Sequence, residues 1–179
     1  MNRFLAALAA AALAACAAIP EAPAPAPPPI AEQLAELKTR MFVHVVEERQ
    51  RLNAAAKPLR LDPELADAAQ AHSEAMARDR AFGEEGAQNN VAIQQLAASP
   101  TFQGFVGGVA AMQYFTPELG FDPDAYARAF IAQWVRSPDH RENIENAVFD
   151  RTGIGVAANG NAIYASEIFA ADLGLAPPQ

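Results

Sequence analysis

The sequence predicts an α+β sandwich, and three observations predict it. From Ile30 onward apolar residues recur at helical spacing. A capping residue, a proline and an acid come together four times, which is a helix-start signal. The C-terminal third then changes to strand periodicity around an Asn-Gly pair. Helices first, a strand in the middle, a helix, then a hairpin fit α+β organisation.

The first element is one long helix from about Ile30 to Ala55. Leu34, Leu37, Met41, Val45 and Leu52 form its stripe, Phe42 and Val46 widen it, and Arg and Glu fill the other face. His44 lies beside the stripe and reads as a half-buried structural residue. The cap-Pro-acid device appears as Asp62-Pro63-Glu64, Thr116-Pro117-Glu118, Asp122-Pro123-Asp124 and Ser137-Pro138-Asp139. The first residue caps free N–H groups, proline suits the first helical position, and the acid meets the positive end of the helix dipole. Helices are therefore expected after Asp62, Asp122 and Ser137, with a short turn after Thr116. Leu65, Ala68, Ala69, His72 and Met76 give the Asp62 helix its stripe. Tyr126, Ala129, Phe130, Trp134 and Val135 do so for the Asp122 helix. A weaker helical pattern covers Gln88 to Ala98.

The last third reads as strand, tight turn, strand. Asn159-Gly160 is a two-residue hairpin signal, because both residue types tolerate positive φ. Ile154 and Val156 share one face of the first strand, and Gly153, Gly155 and Ala157 share the other. The glycine face would let a helix approach closely. Ile163, Ala165, Glu167 and Phe169 share a face of the second strand, which puts an acid in an apolar row. The Gly-rich, aromatic run Phe102–Phe115 is the candidate third strand.

The 179 residues fit one domain plus appendages, and at 51% apolar the chain can build a core without disulfides. The net charge is −8, and a chain starting at Cys16 keeps 12 basic residues against 21 acids, or −9. That balance argues against nucleic acid as a partner and against electrostatic docking on anionic lipid.

The N-terminus has one basic residue, Arg3, and an apolar run from Phe4 to Leu13, too short to span a bilayer but suited to a signal peptide. Leu13-Ala14-Ala15-Cys16 resembles the bacterial lipobox, where the Cys thiol takes a diacylglyceryl group and the leader is cut just before it. Ordinary secretion, with cleavage after an A-x-A stretch and Cys16 incidental, is the alternative. Cys16 is the sole cysteine, so its lipidation would leave no thiol for metal, redox or nucleophilic work. Acyl chains anchor at about 0.8 kcal/mol per buried CH₂. Pro20–Pro29 is a polyproline-II spacer reaching roughly 30 Å. The expected organisation is a leader over 1–15, a lipidated Cys16 and Pro/Ala-rich linker over 16–29, and a folded domain over 30–175.

No G-x-S-x-G, H-E-x-x-H, phosphate loop or cysteine pair is present. The residues that the structural reading leaves unexplained are His72, His140 and Glu167, with Glu84-Glu85 in a Gly-flanked loop. His140 falls at the third position of a new helix, among unpaired N–H groups. Two imidazoles and two carboxylates in one cleft could hold a divalent metal or shuttle a proton.

Four stretches, "RLNAAAKPLRLDPELADAAQAHSEAMA" (Arg51–Ala77), "WVRSPDHRENI" (Trp134–Ile144), "TGIGVA" and "YASEIFA", resemble the CAP superfamily. That superfamily includes cysteine-rich secretory proteins, antigen-5 and plant pathogenesis-related proteins, and the likeness is to its bacterial secreted branch. It spans about Glu47 to Ala170. The resemblance implies an α-β-α sandwich with a small antiparallel sheet between helical layers. It also implies a pocket lined by two His and one or two Glu. His140 matches the second pocket His. Glu84 stands where the first should be. The Glu-Asn element ahead of the Trp helix falls near Met112-Gln113-Tyr114, with Gln113 in place of a Glu, and the Gln common in the last strand is Glu167. The pocket is therefore degenerate, made of Glu84, His140, Glu167, Gln113 and His72.

With the lipobox-like Cys16, the resemblance leads to the expectation of a membrane-anchored envelope lipoprotein whose CAP-like domain is a non-enzymatic module that binds a lipid, a peptide or a wall component, or is structural. The alternatives are a hydrolase using His140 as base with Glu84 or Glu167, against which no activated nucleophile is visible, and a purely structural envelope protein. No cofactor is expected, and with one pocket imidazole zinc binding should be weak or absent. Ala17 rather than Asp after Cys16 places the anchor in the outer membrane, facing the periplasm, if the host sorts as enteric bacteria do.

Overall fold

The computed structural model describes residues 26–82, 94, 98 and 104–172. The leader, Cys16, most of the linker, Glu84, Glu85 and nearly all of the Gln88–Ala98 segment lie outside them.

Helix α1 runs Ile30–Leu52. It stops three residues short of the expected Ala55 because Asn53 turns extended, at φ −144°, and its side chain leaves the helix. Asn53 Nδ2 donates to the Glu145 carbonyl at 2.8 Å, and its Oδ1 accepts from the Ala55 amide. A two-residue strand β1, Arg60–Leu61, follows. Helix α2, Pro63–Asp79, starts on Asp62, whose carboxylate accepts from the Leu65 amide. It ends at Arg80 in the left-handed region, φ 50°. Strand β2 spans Gly104–Tyr114, and the turn expected after Thr116 closes with the Leu119 and Gly120 amides on the Thr116 carbonyl.

Helix α3, Pro123–Arg136, starts on Asp122, which accepts from the Asp124 and Ala125 amides. Helix α4, Pro138–Glu145, begins after Ser137, but there the side-chain cap is missing: Ser137 makes no side-chain capping bond. Its backbone carries the junction instead, donating to the Trp134 carbonyl and accepting from the Arg141 amide.

Strands β3, Arg151–Asn159, and β4, Ala162–Asp172, form the hairpin. The turn lies one residue later than expected. Asn159 pairs with Ala162, so Gly160 and Asn161 are the central residues, and only Gly160 takes positive φ, 63°. That is the Gly-first pattern of a type II′ turn. Asn159 is held in the strand by α2, its Nδ2 donating to the Ala77 carbonyl at 2.7 Å.

The sheet order is β1-β3-β4-β2. β2, β4 and β3 are antiparallel, as expected, but β1 adds a parallel pair, Arg60 with Arg151 and Leu61 with Thr152. Two residues show no periodicity, so the sheet's mixed character was invisible in the sequence. Helix α2 covers one face, while α1, α3 and α4 cover the other. On the α2 face Gly153 and Gly155 admit the helix backbone: a Cβ on either would lie 2.1–2.2 Å from atoms of Leu65, Ala66 or Ala69. The opposite face carries the main core, in which Ile154, Val156, Ile163, Ala165 and Phe169 meet Leu37, Met41, Val45, Phe130 and Trp134.

Candidate functional site

Alternation along β4 puts Glu167 on the main-core face, in line with Ile163, Ala165 and Phe169. It is fully buried. Thr152 of β3, diagonal to it across the hairpin, brings its hydroxyl to 2.7 Å from Oε1, while Oε2 has no hydrogen-bond partner. The same hydroxyl lies 3.0 Å from the Ile168 carbonyl. One hydroxyl proton cannot serve two acceptors at once. Both contacts are satisfied when a protonated Glu167 donates to Thr152 Oγ1 and Thr152 donates to Ile168. The electrostatics agree: burial pushes the Glu167 carboxyl up to about 8, against smaller downward pulls from Thr152 and the Arg49 charge.

Arg49 is the second buried ionisable residue on this side, 1% exposed. Its guanidinium donates to three carbonyls, Lys57 at 3.1 Å, Ile144 at 2.6 Å and Phe149 at 2.7 Å. It thereby ties α1 to the end of α4 and to the loop before β3. Arginine was expected on the exposed face of α1. The signal was present in the spacing, since Arg49 continues the ladder Leu37, Met41, Val45 at four-residue steps. Trp134 Nε1, buried in the same core, has no hydrogen-bond partner among the described residues.

The remaining candidates sit on different elements. His140 is half-buried at the third residue of α4. Its neighbour Asn143 reaches β2, donating to the Gly108 carbonyl at 3.2 Å. His72 sits on α2, on the opposite side of the sheet from Glu167, half-buried and with its pKa lowered by burial. Gln113 of β2 donates to Gln133 of α3 at 3.0 Å. Glu84 lies outside the described residues. Glu167 was expected on the wall of a cleft shared with His140 and Glu84, yet it is closed inside the core, because α1 and α3 pack over that strand face. Among the described residues no three His, Cys, Asp or Glu side chains are grouped to hold a metal ion.

The sequence also missed Ser73. Its hydroxyl lies in the α2–sheet interface, 2.9 Å from both the Gly155 carbonyl and the Ser166 hydroxyl, and Ser166 in turn donates to the Ala69 carbonyl at 2.8 Å. His44 is half-buried as expected, with its ring nitrogens 3.2 Å from Glu47 and 2.8 Å from Asp124. An open, largely apolar groove of about 400 Å³ lies between the first half of α1 and the β1–α2 junction. Phe42, Val43, Leu61, Pro63 and Ile154 line it, with Lys38 and Asp62 as its charged members.

A helix layer, a small sheet and a second helix layer define the α-β-α sandwich class. The family model of the cysteine-rich secretory protein (CAP) family matches residues 47–172, and the chain belongs to that family. Among solved structures, an outer surface protein from Borrelia burgdorferi is similar, with TM-score 0.58 and 16% identity over 76% of this chain and 93% of that one. An extracellular protein containing an SCP domain from Bacillus anthracis gives TM-score 0.54 and 22% identity over 77% of this chain and 41% of its own. A cysteine-rich secretory protein from Staphylococcus aureus gives 0.52 and 20% over 78% and 39%. At these identities the likeness is one of fold. No curated protein sequence matches the chain.

Proposed function

We propose that the chain is a membrane-tethered, non-enzymatic binding module of the bacterial cell envelope, with the groove between α1 and the β1–α2 junction as its ligand surface. The observation that carries this is the contrast between that open apolar groove and the sealed Glu167. The groove keeps Leu61 59% and Val43 42% exposed, while Glu167, one of the two carboxylates offered for catalysis, is buried out of reach of a substrate. An apolar channel with a few charged residues at its margin suits an acyl chain bearing a polar head.

The tether is Cys16. No helix among the described residues is long and apolar enough to cross a membrane, and the lipobox-like Leu13-Ala14-Ala15-Cys16 supplies an anchor of the right chemistry. The Borrelia and Bacillus relatives, named as outer surface and extracellular proteins, support an envelope location.

Titration of the full chain with cis-parinaric acid tests the groove. Saturable fluorescence enhancement is expected, weakened about tenfold by Leu61→Asp. Equal affinity in both proteins would remove the groove from the reading. Palmitate labelling of wild type and Cys16→Ser tests the tether, and equal labelling would refute it. A hydrolytic turnover abolished by His140→Ala would replace the binding module with an enzyme.

A further inference from the structure

β2 forms one edge of the sheet, with β4 on its inner side only. In an antiparallel strand a residue aims its N–H and C=O to the same side, and successive residues alternate. The Phe115 amide donates to the Asn161 carbonyl at 2.9 Å, so the odd-numbered residues of β2 bond to β4. The even-numbered ones therefore aim outward. Two contacts agree with this: Asn143 donates to the Gly108 carbonyl, and the Tyr126 hydroxyl donates to the Tyr114 carbonyl at 2.8 Å. Between these two points Ala110 and Met112 aim N–H and C=O groups outward, and nothing bonds to those groups among the described residues.

Beside Met112 the α2 face opens into a groove of about 470 Å³, past the C-terminal end of α2. Phe82, Met112, Tyr114 and Tyr164 wall it, and Asn159, Asn161 and Arg80 form its polar margin. Tyr114 is 64% exposed. In a chain with 21 acids, the described lining of this groove holds one cation and no carboxylate.

We propose that the open edge at Ala110–Met112 and this groove form one docking site for an extended peptide carrying an acidic side chain. The peptide adds a strand to the sheet, exchanging two hydrogen bonds with each of Ala110 and Met112, about four in all. Its alternate side chains fall on the α2 face and enter the groove, where a carboxylate meets Arg80. Charge complementarity selects this occupant over a second copy. A second β2 paired antiparallel at Ala110–Met112 would bring only its own Gly108 and Val106 toward the groove, and neither carries a carboxylate. The site is separate from the apolar groove at α1, and its test does not depend on that one.

The experiment titrates the isotopically labelled full chain with the peptide Thr-Val-Thr-Tyr-Asp and follows amide hydrogen exchange. Exchange at Ala110 and Met112 should slow at least about tenfold at saturation. The same peptide N-methylated at alternate amides should fail to bind. Replacing its Asp by Asn should weaken binding about threefold to the wild type and leave binding to Arg80→Gln unchanged. Ala110→Pro removes an outward donor while sparing the β2–β4 ladder, as proline does at a sheet edge, and should lose the peptide. If that variant does not fold, the exchange data on the wild type decide alone. Unchanged exchange at both amides at millimolar peptide, protection already complete in the free chain, or binding indifferent to N-methylation would each overturn the proposal. A dimer of the free chain that Ala110→Pro dissociates would overturn it in favour of a second copy.

Discussion

The two faces of the sheet are closed by different means. On the α2 face small residues let backbones touch: Gly153 and Gly155 leave no room for a Cβ, and the polar contacts there include the short bridges of Ser73 and Ser166. On the opposite face large side chains fill a deep layer, and two charged residue types, Arg49 and Glu167, are buried within it. The α2 face is therefore sensitive to added volume. The other face is sensitive to whether its buried polar groups keep partners and protons, because a lost partner there cannot be replaced by water.

Arg49→Met is expected to have the largest effect. It takes the guanidinium donor from the carbonyls of Lys57, Ile144 and Phe149 and removes the positive charge that acts on Glu167. A loss of about 3–5 kcal/mol in urea unfolding is expected, the range for breaking a buried charged network. An unchanged midpoint would show that α4 and the loop before β3 hold without the guanidinium.

Glu167 sharpens the same contrast through pH. The folded carboxyl holds its proton to about 8, whereas its reference value is 4.5. Below the lower value both states are protonated and stability is full. Between the two, unfolding releases a proton, so stability falls as pH rises, and it levels off above the folded value. The decline should be at most about 5 kcal/mol. In Glu167→Gln it should vanish, and denaturation series across that window would show it. Parallel slopes in the two proteins would mean that Glu167 is not the titrating group.

Gly155→Ala probes the other face. Its Cβ would sit 2.2 Å from the Ala69 carbonyl carbon and oxygen, backbone atoms that move only with the whole helix. A loss of about 2 kcal/mol is expected from overpacking, with no change in pH dependence. A neutral result would mean that α2 shifts freely on the sheet. The smallest effects belong to the helix starts. Asp62→Ala should cost about 1 kcal/mol, since its carboxylate caps α2, and Ser137→Ala only a few tenths, since its hydroxyl caps nothing. Equal losses by thermal melting would put the two junctions on the same footing.

The sequence by itself determined the elements whose causes lie within a few residues. Asp62-Pro63 and Asp122-Pro123 start helices wherever the rest of the chain lies, because cap, proline and acid all act on the same first turn. Alternation likewise assigned Gly155 to one face and Glu167 to the other, and the CAP-family resemblance rested on motifs of the same local kind. Tertiary structure alone decided what lay on those faces. It decided that Glu167 is sealed, because α1 and α3 close over its strand. It moved the hairpin turn to Gly160-Asn161, because α2 holds Asn159 in the strand. It added β1, whose two residues become a strand only beside β3. It also buried Arg49, whose acceptors on Ile144 and Phe149 lie 95 and 100 residues away. An arginine's surroundings depend on which distant carbonyls arrive beside it, and local spacing places the side chain on a face without naming its partners.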